Sequence, residues 1–142
     1  MPNLLLFPTT IEKILFLKNS DIFSKSIPES LLHVADIAKE YSIKKGETIF
    51  NEGDPSVYLY LVVTGEIRIS RKDREIFIAV PNESFGLVGL VEEKRRATHA
   101  IALSDSTLLR IGHSDLFDLM EDYPAVTRGV LRGISKVLRE LL

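Results

Sequence analysis

The stretch KGETIFNEGDPSVYLYLVVTGEIRI, residues 45–69, decides the architecture. Short apolar segments alternate in it with glycine-bearing turns. Lys45-Gly46, Glu52-Gly53-Asp54-Pro55 and Thr64-Gly65 are the turns, and strands are predicted between them over 48–51, 57–63 and 66–70. In the last of these, Glu66 to Ser70, apolar and polar residues alternate strictly, as in a strand with one face on a core. Lys72-Asp73 then reads as a tight hairpin tip leading into a strand over 75–80, where Ile76, Ile78 and Val80 point one way. Further strands are predicted near 98–103 and 107–111. Many short strands at even spacing between residues 41 and 111 predict a small antiparallel barrel or sandwich.

Helical periodicity flanks this region. Thr9 and Glu12 form a capping box, and Ile11, Ile14 and Leu15 follow at helical spacing, which predicts a short helix over 10–18 ended by Asn19-Ser20-Asp21. Pro28 suits a first helical turn, and Leu31, Leu32, Ala35 and Ala38 give the next helix an apolar face to about Glu40. After Gly112, Ser114 is the expected N-cap of a helix carrying Leu116, Phe117 and Met120. Pro124 restarts a helix to Leu142 with a stripe of Val126, Val130, Ile134, Val137, Leu138 and Leu141. The expected fold class is α+β, mainly β: an antiparallel barrel or sandwich over 41–111 between a helical segment, 1–40, and two C-terminal helices, 113–142, all in one domain.

Composition narrows the function. The 142 residues are 45% apolar and 27% charged with a net charge of −2, which carries no basic excess of the kind nucleic-acid binding uses. Cysteine is absent, which removes disulfides and thiolate metal sites and fits a cytoplasmic compartment. The apolar run Leu4 to Phe7 is too short for a membrane span or a signal segment. His33, His99 and His113 share no metal-ligand spacing, and no nucleophile motif accompanies them, so no metal site and no catalysis are expected.

A second stretch carries what chemistry there is: SFGLVGLVEEKRRAT, residues 84–98. It sets a glycine-bracketed apolar turn beside two arginines, so backbone N–H donors and fixed positive charge meet there. With Gly46, Gly53, Gly65 and Gly86 in order and spacing, residues from about Leu31 to Leu142 resemble a cyclic nucleotide-binding domain, and 84–98 resembles its phosphate-binding cassette. That resemblance implies a β-roll whose cassette binds the phosphate, with site residues Phe85, Gly86, Leu87, Val88, Arg95, Arg96, Ala97 and Thr98. By the family's Arg-x-Ala-Ser/Thr pattern Arg95 takes the phosphate and Arg96 points outward; a one-residue slip exchanges the two. The glutamate that holds the ribose 2′-OH in the family is replaced by Leu87, with Ser84 or Glu83 as neighbouring substitutes. Glu92 or Glu93 is placed to pair with Arg95 in the absence of ligand.

The resemblance implies a non-enzymatic regulatory domain that senses cAMP, cGMP or a related small anion, weakly if at all, and is excised from or related to a longer protein. The alternative is a ligand-free interaction module that keeps the fold. In either case the C-terminal helix is the expected contact to an effector domain or to a second copy in a homodimer. No nucleic-acid contact is expected within this chain.

Overall fold

The computed structural model describes Phe7 and residues 9–142. Two helices lead, α1 (Thr10–Lys18) and α2 (Pro28–Ile37), followed by strands β1 (Lys39–Ile43), β2 (Thr48–Phe50), β3 (Tyr58–Thr64), β4 (Ile67–Arg71), β5 (Arg74–Ala79) and β6 (Ser84–Phe85). A short helix α3 (Leu87–Val91) precedes β7 (His99–Ala102) and β8 (Ser106–Gly112), and the chain closes with α4 (His113–Asp122) and α5 (Pro124–Leu141). The strands form two antiparallel four-stranded sheets, ordered β1-β8-β3-β6 and β2-β7-β4-β5. The spacing predicted a mainly-β barrel or sandwich between helices, and the observed form is the roll with flanking helices that the resemblance implied.

The central strand β3 is buried on both faces, which explains its unbroken apolar run. Leu59 and Leu61 face the helices, where they meet Leu17, Ile22, Val126 and Val130. Tyr60 and Val62 face the roll interior with Phe50, Ile67, Ile69 and Phe85. Turn chemistry fixes the registers between strands. At Gly65 φ is +92°, and a Cβ there would fall 2.0 Å from Ser106 Oγ, so no other residue fits the turn between β3 and β4. Lys72 and Asp73 both take positive φ, as a two-residue hairpin between Arg71 and Arg74 requires.

Thr9 caps α1 as predicted, its Oγ1 accepting from the Glu12 amide at 3.2 Å. Three expectations are corrected. First, α2 stops at Ile37: Ala38 turns extended, and Lys39 and Glu40 pair with Arg110 and Leu109 on the sheet edge, where cross-strand hydrogen bonds override a helix-compatible sequence. Second, α4 starts at His113 with Gly112 as N-cap, two residues ahead of Ser114. Third, the interior face of β5 is Phe77 and Ala79, while Val80 is exposed. Both parities of residues 76–80 are apolar, so alternation could not choose the face.

The C-terminal helix is seated by glycines. A Cβ on Gly129 would lie 1.9 Å from the Ile22 carbonyl oxygen, and one on Gly133 would lie 2.5 Å from Leu87 Cδ1. The first obstacle is backbone and the second is the tip of a flexible side chain. Gly129→Ala is therefore expected to destabilise the fold by about 2 kcal/mol or more. Gly133→Ala should cost much less, because Leu87 can shift and alanine favours helix by about 1 kcal/mol. Urea unfolding midpoints of the two variants check this order; equal effects would refute the seating.

Candidate functional site

The site is built where β6 runs into α3. Phe85 is buried and stacks on Tyr60, ring centroids 5.1 Å apart. The chain reverses at Gly86, whose φ of +87° makes it the N-cap of α3, with no side chain capping the helix. The first N–H groups of a helix have no partner within it. After α3 an exposed loop through Lys94 and Arg95 returns the chain to β7.

Arg96, not Arg95, points into the roll. Its side chain is only 5% exposed, Nη1 donates to the Gly86 carbonyl at 2.7 Å, and Nη2 donates to the Tyr58 carbonyl at 2.6 Å. The guanidinium carbon lies 4.0 Å over the Phe50 ring. Arg95 is exposed and donates to the Gly53 carbonyl at 2.9 Å. Arg96 lies in the loop ahead of β7 but shares the phase of its inward residues: Arg96, Ala100 and Ala102 are buried and Thr98 half-buried, while Arg95 and Ala97 are exposed. Counting back by twos from the small residues of β7 is the signal that would have found the inward arginine. Gly86 matters to it too, since a Cβ there would sit 2.8 Å from Arg96 Nη1.

What surrounds Arg96 is unusual for a buried cation. Among the described residues no carboxylate lies within ion-pair distance of it, and its buried Nε has no hydrogen-bond partner. Burial pulls the guanidinium below its ordinary pKa, against the smaller opposing fields of Tyr60 and Asp54. Moving an ion into a protein interior costs several kcal/mol, which the two carbonyls and the Phe50 and Tyr60 rings act to offset. The expected pairing of Glu92 or Glu93 with Arg95 does not form: Glu92 lies 3.6 Å from Lys94, and Glu93 lies 3.3 Å from His113 Nε2.

A cavity of about 130 Å³ opens beside Arg96, lined by Gly86, Leu87, Val88, Ala97 and Thr98 of the cassette. Six of the eight residues named from the sequence, those five and Arg96, therefore meet at one place. Phe85 lies beneath it in the roll, and Arg95 lies outside. Sequence reasoning missed the walls contributed by Ile69, Ile76 and Phe77 of β4 and β5 and by Val137 and Leu141 of α5. A larger open groove of about 840 Å³ lies outside the roll beside Lys94, Arg95 and His113, but Glu93 and Asp115 share it with those basic groups.

A family model for the cyclic nucleotide-binding domain matches residues 40–123, the whole roll and α4. The chain belongs to the cyclic nucleotide-binding domain family. Among its relatives, the cyclic AMP receptor protein of Thermus thermophilus is 30% identical over 133 residues, which cover 87% of this chain and 60% of that protein. The crystal structure of the Thermus thermophilus catabolite activator protein superposes with a TM-score of 0.77 at 28% identity, covering 86% of this chain and 60% of that one. A lysophospholipase of Kluyveromyces lactis is 29% identical over 129 residues, 86% of this chain but only 9% of the enzyme. The chain thus spans about three fifths of the first relative and a small part of the second. Among the described residues no helix is long and apolar enough to cross a membrane.

Within this cyclic nucleotide-binding domain, the position of the implied ribose-binding glutamate is filled by a leucine that faces the core. Leu87 packs against α5 at Gly133. Neither neighbour replaces the lost carboxylate. Glu83 accepts from Lys136 Nζ at 2.5 Å, and Ser84 Oγ donates to Asp21 Oδ2 at 3.0 Å. The Ser84 amide donates to the same Asp21 oxygen at 2.9 Å, tying the segment after α1 to the strand that feeds the cassette. Asp21 Oδ1 is buried without a partner.

Burial raises the Asp21 carboxyl above its ordinary value of 3.8, with the two Ser84 hydrogen bonds and the Lys136 charge pulling it down and Glu83 pushing it up. Above that value the unfolded chain releases a proton that the folded one retains, so this group's contribution to stability falls as pH rises through the window. Asp21→Asn keeps an oxygen for Ser84 and removes the titration. Its stability relative to the parent protein is expected to rise as pH rises above the ordinary carboxyl value of 3.8, read from urea midpoints; a constant difference would refute the assignment.

Proposed function

We propose that this chain is a non-enzymatic regulatory domain that senses a small phosphate-type anion, with cAMP or cGMP as the family's reference ligands. The observation that carries the reading is Arg96, buried at the cassette with, among the described residues, no carboxylate within ion-pair distance. An anion entering beside it would supply the missing partner, in a charge-assisted pair of the strongest hydrogen-bonded class. Gly86, Leu87, Val88, Ala97 and Thr98 would form the surrounding wall. Val137 and Leu141 of α5 border the same cavity, so occupancy would be felt by the C-terminal helix.

The absent glutamate sets the strength. Losing a charge-assisted hydrogen bond to the ribose costs about 1.5–3 kcal/mol, or one to two decades in affinity. Isothermal titration is expected to show weak binding of cAMP and cGMP that disappears in Arg96→Met and survives in Arg95→Ala. Binding that ignores Arg96 would overturn the site, and no heat from either nucleotide at millimolar concentration would remove both as ligands.

A second reading rests on a different observation. Leu131 and Leu138 are 58% and 56% exposed, and with half-buried Ile134 and exposed Leu141 they mark one side of α5 at spacings of three and four. That seam fits a homodimer or an effector domain docking through α5, whether or not the cavity binds anything. Light scattering is expected to show a dimer that becomes monomeric in Leu131→Lys/Leu138→Lys. A parent chain that is already monomeric at high micromolar concentration would exclude self-association.

A further inference from the structure

The cavity beside Arg96 is small, mostly apolar and positively charged. Its volume is about 130 Å³. Sites for drug-sized ligands run to about 300–1,000 Å³, whereas an apolar cavity of roughly 150 Å³ holds one benzene ring. The walls away from the cassette are Ile69, Ile76 and Phe77 from one side and Val137 and Leu141 from the other. Two arginines line it, Arg96 at its buried end and exposed Arg71, and no aspartate or glutamate does. Among the described residues that line the cavity no carboxylate is present to receive a ribose hydroxyl, and Leu87 is buried beside Gly133.

From these features we infer that the preferred ligand is a compact aryl acid: one aromatic ring bearing a single carboxylate or phosphate, rather than a nucleotide. This deepens the anion-sensing reading above and rests on it. The acid group meets the Arg96 guanidinium, which lines the cavity and, among the described residues, has no carboxylate within ion-pair distance. The ring occupies the space between Phe77, Ile76 and Val137. Both halves of such a molecule are satisfied without moving α5. A nucleotide satisfies only the phosphate half, leaves its ribose hydroxyl against apolar carbon, and needs Val137 and Leu141 to withdraw before its base fits. Desolvating a hydroxyl without a partner opposes binding, while burying a ring favours it.

The test is a titration of the full chain with benzoate, phenyl phosphate, inorganic phosphate, benzyl alcohol, cAMP and cGMP. Benzoate or phenyl phosphate is expected to bind about ten- to hundredfold more tightly than inorganic phosphate, the share contributed by the ring. The same acid should outcompete both cyclic nucleotides and the neutral benzyl alcohol. Arg96→Met should abolish its binding, and Val137→Phe, which fills the cavity while leaving Arg96 in place, should weaken it at least about tenfold. Circular dichroism and urea midpoints establish that both variants are folded. Tighter binding of cAMP or cGMP than of either aryl acid overturns this inference but leaves an anion sensor at Arg96. Equal affinity for inorganic phosphate and the aryl acids also overturns it, by removing the ring's role. Binding of no anion by the folded parent chain defeats both the inference and the reading beneath it.

Discussion

A guanidinium held inside the roll is the constraint on which this site depends. Arg96 reaches the Gly86 and Tyr58 carbonyls only because Gly86 has no side chain and the loop after α3 returns in the right phase. Its contact with Phe50, in the cluster with Tyr60 and Phe85, joins the cation to the aromatic filling of the roll. Two sheets, one reversing glycine and a short helix thus converge on a charge that the fold does not neutralise. A protein selected for stability alone would replace it with packed carbon.

The same region faces α5. Leu87 lies where a ligand-facing carboxylate would be expected from the family resemblance, yet it is spent on the helix, in contact with the α5 backbone at Gly133. Lys136 meets Glu83 two positions before the β6 end, and Val137 borders the cavity. The helix therefore reads the cassette through packing and one ion pair, with no ligand group needed to connect them.

Much of the fold was legible because its turns are chemically marked. Gly46, Gly53, Gly65 and Gly86 all take positive φ, and Thr9 caps α1 by the bond its spacing implied. The losses have specific causes. Lys39 and Glu40 carry no strand signal of their own and become β1 only through the partner strand β8. Residues 76–80 are apolar in both phases, so their face is set by pairing with β4. In the site, the cassette was readable from its glycines and arginines, but the choice between Arg95 and Arg96 depends on the phase of β7. The walls from β4, β5 and α5 are ordinary apolar residues, brought to the cavity by topology rather than by any motif. Gly129 and Gly133 look like weak points of a helix until the close approach of Ile22 and Leu87 is seen.

That approach bears on how the chain assembles. Ile22 and Gly129 are separated by most of the sequence, so the contact closes one of the longest loops in the molecule and cannot form until nearly all of the chain has been made. The hairpin of β4 and β5 joins near neighbours and can form well before it. The first half of α5 is therefore a clasp that joins the two ends of the described chain across the roll. Its second half turns Leu138 and Leu141 outward, and local opening runs at lower cost where fewer apolar groups are buried.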